Sequence, residues 1–569
     1  MDSERCSVPF HKNKIKHVPP DPVVLLKELQ SLPGAKMLNR IFKLEDPEKF
    51  IQDLSLEDFF WLVKMIGEED SLPLLGLASD DQWQYLIDLE IWSKDRLDLA
   101  QSSRWLQRLQ MADMNRLTKW LLGPGEILTN YYFINNIDVI TFTGRGEAYN
   151  VPDGFFTLDD LFYIKVRDPE LQDAIETLLR AMASEDFIRY QGLLLGLEGV
   201  IPSELEEEMY RLRSLRLAEH GFLPFEEALS VYAPLNPEAL GIKTPDRLMD
   251  VVFDENLRSL IPVSPLNHTG TQNMLTEVIS GISDPVLMDR LRLEFAGLCN
   301  QILSADSISV KDMDDLKKTC RKAARYLNLA LERLSGKDLP LAEQILKNHS
   351  LVSIFRVGCG LALKLRWEAE KWLKGSWFQS LGLSAQFWGE YWGGTLACLM
   401  KKRPLFYAGA PGEERRDFEW LSELSESINV LRRLMVLDSL MERLAETYSK
   451  DENLFRQREM TFYILLFNLW GRLKLGMEPC FSGIPLREVI LLFKKLRSQD
   501  KGPPYLMSDW KRAFIQDLMS YISHSEPHVS RILEETLSQV WDQFREEYEW
   551  VSLENIDPRY SKYILIKKD

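Results

Sequence analysis

The sequence predicts a mainly α-helical chain: short stacked helices forming a superhelix or solenoid-like body, then an aromatic-rich helical region, with at most a small β-hairpin near 131–157. Capping residues followed by proline recur along the chain, apolar residues fall at helical spacing behind them, and tryptophan is confined to the two ends. The 569 residues exceed what one core organises, and the 45% hydrophobic content supplies apolar surface for several cores.

The caps come first. Proline at the first helical turn presets φ and puts its missing N–H where no partner is needed. Asp46-Pro47, Asp168-Pro169, Asn236-Pro237, Thr244-Pro245, Ser264-Pro265 and Asp284-Pro285 fit that pattern. Ser55 with Asp58, Ser79 with Gln82 and Ser203 with Glu206 read as capping boxes. Behind them come stripes such as Phe59/Leu62/Val63/Ile66 and Leu171/Ile175/Leu178/Leu179/Met182. Helices of two or three turns cannot bury such stripes alone, so they must stack on one another.

The same punctuation divides the chain into a tail at 1–20, a short-helix domain at 21–130, a connector hairpin with a second helical domain at 131–265, and a C-terminal helical region at 266–569. Tyr131–Ile134 and Ile137–Phe142 are rich in β-branched and aromatic residues and predict the hairpin, with helices resuming from Leu158. Tyr563–Ile566 could add one short strand. Met313 to Leu334 reads as a long amphipathic helix closed by Gly336. Gly358-Cys359-Gly360 suggests a bend or two helices in close approach. Five tryptophans occur by Trp120, none before Trp367, and ten from there on, so the C-terminal part is a different packing unit.

Charge and composition exclude several functions. A net charge of −17 opposes a chain-wide phosphate-binding surface, so no nucleic-acid partner is expected. The longest apolar run, Met460 to Trp470, is too short to span a bilayer and is followed by Arg472 and Lys474. Six cysteines lie without CxxC spacing, as expected of reduced thiols in a cytoplasm, and Val18-Pro19-Pro20 stands where a secretory leader would be apolar. The seven histidines form no HExxH or ExxH, and neither a P-loop, a dinucleotide fingerprint nor GxSxG occurs. No catalytic, metal or cofactor-binding residue is therefore assigned, and no cofactor is expected. His524 and His528 are split by Pro527. His220 is read as capping the end of its helix, with pairing to Glu219 or Glu226 as the alternative.

Two groups remain as candidate binding residues. The aromatic stretch from Trp367 to Tyr407 reads as core, or else as an exposed surface using Trp388, Tyr391, Trp392, Arg403, Phe406 and Tyr407. A polar pocket between the helical halves would use Asp95, Arg96, Arg216 and Glu219. The run Arg211, Arg213 and Arg216 is a solvated ion-pair face or, alternatively, an anion site.

Trp92-Ser93-Lys94-Asp95-Arg96-Leu97-Asp98, the stretch from Arg216 to Phe222 with Glu226 to Leu235, and Phe387-Trp388-Gly389-Glu390 with Arg403-Pro404-Leu405-Phe406 together resemble a bacterial family known only as a domain of unknown function. That resemblance covers most of the chain and implies a bacterial cytosolic protein without assigning an activity. Leu54 to Asp95 is similar in its short-helix texture to the helical cytoplasmic N-terminal domain of MgtE-type magnesium transporters, whose membrane domain has no counterpart here. The expected function is a non-enzymatic cytoplasmic scaffold with a protein partner, peripheral membrane contact being less favoured. The alternative is a small-molecule sensor or enzyme with its pocket between the helical halves.

Overall fold

A computed structural model describes residues 22–93, 95–142, 153–240, 261–270, 272–308, 310, 312–409, 414–448, 460–497, 502–505, 507–522 and 526–567. Among these residues there are 26 α-helices, and no sheet exceeds three strands, so the chain is mainly α. The Thr244-Pro245 cap, His524 and Cys6 lie outside the described residues.

Local capping sets many helix starts. Asp46 accepts from Lys49 N, Ser79 and Gln82 form a reciprocal capping box, Asp284 accepts from Val286 N and Leu287 N, and Met313–Ser335 ends on Gly336 at φ 61°. Two expected boxes differ. Ser55 accepts from Asp58 N, but the Asp58 carboxylate turns away to Val263 N and Ser264 N, at 2.9 and 2.7 Å. The Pro202–Ala218 helix starts behind Ile201, and Glu206 reaches instead to Leu97 N and Arg96, both at 2.8 Å. Each carboxylate abandons its own helix end for a distant backbone donor.

The expected small β element is present, with Ile137–Thr141 a strand as predicted, but the 131–134 segment is not part of it. Tyr131 to Ile134 lie in the Glu126–Asn136 helix, which buries Tyr131, Tyr132 and Phe133; the Asn135 and Asn136 amides donate to the Tyr131 and Tyr132 carbonyls one turn back. Burial on a helical face here overrides β-propensity. Strand Ile137–Thr141 pairs antiparallel with Phe162–Val166, Ile137 opposite Val166 and Thr141 opposite Phe162, while Phe156–Thr157 adds on the other edge. Phe162, Ile164 and Val166 alternate inward, which makes this a strand where helix was expected. At the other end, Ile566–Lys567 pairs parallel with Ile484–Pro485.

Three apolar cores organise the chain. The first runs from Leu25 to Met209 and takes in the three-stranded sheet; the second gathers Leu217 to Leu431; the third spans Phe378 to Ile566. These cores group residues differently from the boundaries at 130 and 265, because helix 126–136 and the sheet pack on the preceding helices. Several helices are shared between cores, and two show it most fully. Leu56–Ile66 turns Phe59, Leu62, Val63 and Ile66 into the first core and Phe60 and Trp61 into the second. Leu421–Tyr448 gives Leu424 and Leu431 to the second and Leu434, Leu437, Leu440 and Leu444 to the third. A helix buried on opposite faces welds its neighbours.

The aromatic stretch is mostly interior. Trp388, Trp392 and Phe387 are buried in the third core, where Trp392 stacks on Phe462 with centroids 5.6 Å apart. Phe406 belongs to the second core, and Tyr407 is buried against Gly394. Arg403 forms an ion pair with Asp306 and lies 3.6 Å above the Tyr232 ring. Tyr391 remains partly exposed beside Glu426. Of these six, Trp388, Trp392, Phe406 and Tyr407 are buried and Arg403 mostly so, and Tyr391 is exposed; rings of this size supply more stabilisation inside a core than at its rim.

Candidate functional site

The outer face of helix 56–66 forms one wall of a cavity of about 610 Å³ between the first and second cores. The other walls are the Trp92–Leu97 hairpin, helix 202–218 with the turn that follows it, and the antiparallel pair Pro285–Asp306 and Met313–Ser335. That volume falls within the range of small-molecule sites. Its lining is aromatic and polar together: Trp61, Tyr85, Trp92, Tyr210 and Phe222 alternate with Glu57, Arg213, Asn300 and Thr319. Asp95 and Phe225, both exposed, also line it.

Glycine fixes one edge. Gly221 sits at φ +82°, and a Cβ there would lie 2.8 Å from the Gly297 Cα and carbonyl oxygen. Only a residue without a side chain lets the chain leave helix 202–218 flush against helix 285–306, and this aims Phe222 to Phe225 at the cavity. The Asn300 amide locks the turn by donating to the His220 carbonyl at 2.7 Å.

Arg213 is the chemically distinctive wall residue. Its Nε donates to the Asp88 carbonyl at 2.6 Å and its guanidinium lies 5.4 Å from the centre of the Trp92 ring. Among the described residues neither terminal nitrogen has a hydrogen-bond partner or a carboxylate within ion-pair distance. The Asp88 carboxylate is spent on Arg216, which holds it through two bonds of 2.7 and 2.8 Å. Two guanidinium groups thus share one carboxylate, leaving a positive excess on this wall. Burial lowers the Arg213 pKa, with Asp88 and Tyr210 working against that shift. A guanidinium nevertheless stays charged, so the uncompensated cation is a place for an anionic group.

Opposite in character is Glu57. Its Oε1 meets His220 Nδ1 at 2.8 Å, and the imidazole sits edge-on to the buried Tyr85 ring with centroids 5.0 Å apart. His220 therefore pairs with a carboxylate 163 residues away in the sequence, and the pairing with Glu219 or Glu226 is corrected. Burial opposes the imidazolium, but the bond to Glu57 and the charges of Glu57 and Glu219 outweigh it, so the His220 pKa is raised. A histidine whose folded pKa exceeds its unfolded value contributes stability that is full below about pH 6.5 and fades as pH rises through the folded pKa. His220→Gln is accordingly expected to flatten the fall in urea midpoint between pH 6 and pH 9 (both approximate) relative to the wild type. Parallel curves for the two proteins would reject the ion pair.

The four residues expected to share a polar pocket do not converge on one cavity. Asp95 lines it, whereas Arg96 is paired with Glu206 and largely exposed. Arg216 lines a much smaller neighbouring cavity, and Glu219 lies exposed just past the end of helix 202–218. Arg213 was legible as part of an arginine run, whereas nothing in the sequence singled out Glu57, in the first turn of helix 56–66. Arg211 bonds Glu208, three residues back on the same helix. Among the described residues no group of three or more His, Cys, Asp and Glu side chains could hold a metal ion, and no helix is long and apolar enough to cross a membrane.

No curated protein and no solved structure matches this chain. A family model does, over residues 18–567, which include every wall of the cavity: the protein belongs to DUF6178, a family of unknown function.

Proposed function

We propose that this protein is a cytoplasmic binding protein for a small amphipathic anion, held in the cavity between its first and second cores. The observation that carries the reading is Arg213, a cation whose terminal nitrogens have no partner among the described residues, on the wall of a 610 Å³ cavity. The anionic group of the ligand would take those nitrogens, and its aromatic or aliphatic body would lie against Trp61, Trp92 and Phe222. Glu57 spends Oε1 on His220 and keeps Oε2 for a hydroxyl or amine of the ligand. Cysteines spread without a pairing motif suit a reducing cytoplasm.

Two fluorescent probes of similar shape separate charge from shape: anilinonaphthalene sulfonate and the uncharged N-phenylnaphthylamine. With Arg213→Met, sulfonate affinity is expected to fall roughly 10- to 100-fold, as for a lost charge-assisted contact, while the neutral probe changes by less than about threefold. Equal weakening of both, or no saturable binding of either to the wild type, would reject the reading.

A protein-interaction role has separate support. On the Phe187–Gly196 helix, Ile188 and Leu195 stand 82% and 59% exposed at i and i+7, with Ile201 also exposed beyond the helix end. A partner using that face would leave Ile188→Glu folded while abolishing its capture.

A further inference from the structure

The inner wall of the cavity carries two sulfurs. Cys299 lies in helix 285–306 and Cys320 in helix 313–335, and their Sγ atoms are 3.7 Å apart. The geometry follows from the helical hairpin. Position 299 stands about two turns before the end of the first helix at 306, and 320 about two turns after the start of the second at 313, so the two face each other at equal height. Both are free thiols, both are buried from bulk solvent, and both line the open volume of the cavity.

We propose that Cys299 and Cys320 form an oxidisable dithiol, converted by a small neutral peroxide that enters the cavity into a disulfide joining the two helices. A disulfide needs the sulfurs at about 2.05 Å, so its formation draws the two sulfurs together from 3.7 Å by side-chain rotation and any accompanying shift of the helices. The steps balance. One sulfur, as thiolate, takes an oxygen of hydrogen peroxide; the O–O bond breaks, and the other oxygen leaves as water with the proton the thiol released. The second sulfur displaces the sulfenic oxygen, which departs as a second water carrying the second thiol proton. Two thiols lose two electrons in total, and the peroxide accepts them.

The remaining described cysteines serve as internal controls. Cys359 is buried in the second core away from the cavity, Cys398 is buried beneath the 406–407 strand, and Cys480 is more exposed but bonds Ser482 rather than another sulfur. Burial pushes the Cys299 thiol up, with the adjacent Cys320 adding to it, so little thiolate stands at 299 and the oxidation is slow.

The test uses the full chain. Protein is exposed to hydrogen peroxide, denatured with alkylation of free thiols, and digested, Lys311, Lys317 and Lys318 separating the two cysteines onto different peptides. The expected result is a single dominant cross-linked species joining the 299 and 320 peptides, reversed by dithiothreitol, with Cys359 and Cys398 alkylated. In Cys320→Ala the cross-link disappears. Since the wild-type mapping needs no variant, a poorly folding Cys320→Ala leaves the test decisive. Full alkylation of 299 and 320 under conditions that oxidise Cys480 would overturn the proposal, as would scrambled cross-links to Cys359. Either result leaves the proposed anion binding at Arg213 untouched.

Discussion

Replacing Asp306 with alanine is expected to destabilise the protein by about 3–5 kcal/mol, read as a lower urea midpoint at unchanged slope. Its carboxylate is 10% exposed at the end of helix 285–306 and is the hub of an interior cluster. Lys322 Nζ lies at 2.8 Å, Arg403 pairs with it directly, and the Tyr232 hydroxyl donates at 3.1 Å to each of its oxygens. Alanine would leave two cations flanking one phenol ring, Lys322 at 5.3 Å and Arg403 at 3.6 Å from its centre, with the more distant charge of Asp417 to offset them in place of a direct partner. Exposed pairs such as Arg443 with Glu446 are worth no more than about 1 kcal/mol, so a loss that small for Asp306→Ala would refute the hub. Pairing Asp306→Ala with Lys322→Met should cost less than the sum of the two single losses, since removing the second charge relieves what the first left stranded.

That cluster also shows what a sequence read alone can reach. Asp306, Lys322 and Arg403 come from three separate segments, and nothing in their spacing brings them together. The same limit applies to helix capping. Asp46, Ser79 and Asp284 cap their own helices and were legible, because donor and acceptor lie within one turn. Asp58, Asp438, Glu294 and Glu332 cap helices far along the chain instead: Asp438 takes Trp377 N and Phe378 N, Glu294 takes Leu351 N, and Glu332 takes Leu421 N. Asp438, Glu294 and Glu332 read in sequence as ordinary polar helical residues and Asp58 as part of a local capping box, so none of them announces its distant partner. The helical texture, the long 313–335 helix and its glycine stop were accessible because period and capping are local properties. The cavity was not, since its walls come from positions 57 to 320 and only Arg213 and Asp95 stood out beforehand.

Glycine offers the second large effect, with opposite signs at two sites. Alanine is ordinarily favoured over glycine inside a helix by about 1 kcal/mol. Gly192, within helix 187–196, has no atom within 4 Å of where a Cβ would stand, so Gly192→Ala should raise stability by up to about that amount. Gly358 lies in the Leu351–Leu373 helix where it crosses helix 313–335. A Cβ there would fall 2.1 Å from the Tyr326 carbonyl oxygen and 2.9 Å from its carbon. These are backbone atoms of a neighbouring helix and cannot rotate aside, so the two helices must part along a core that includes Ala323, Leu327 and Phe355. Gly358→Ala is therefore expected to cost about 3 kcal/mol or more despite its better helix propensity, at the upper end of overpacking losses. Thermal unfolding of the two variants side by side decides the matter. If Gly358→Ala melts at or above the wild type, as Gly192→Ala should, the helices do not meet backbone to backbone at that crossing, and the closeness assigned to the middle core is wrong.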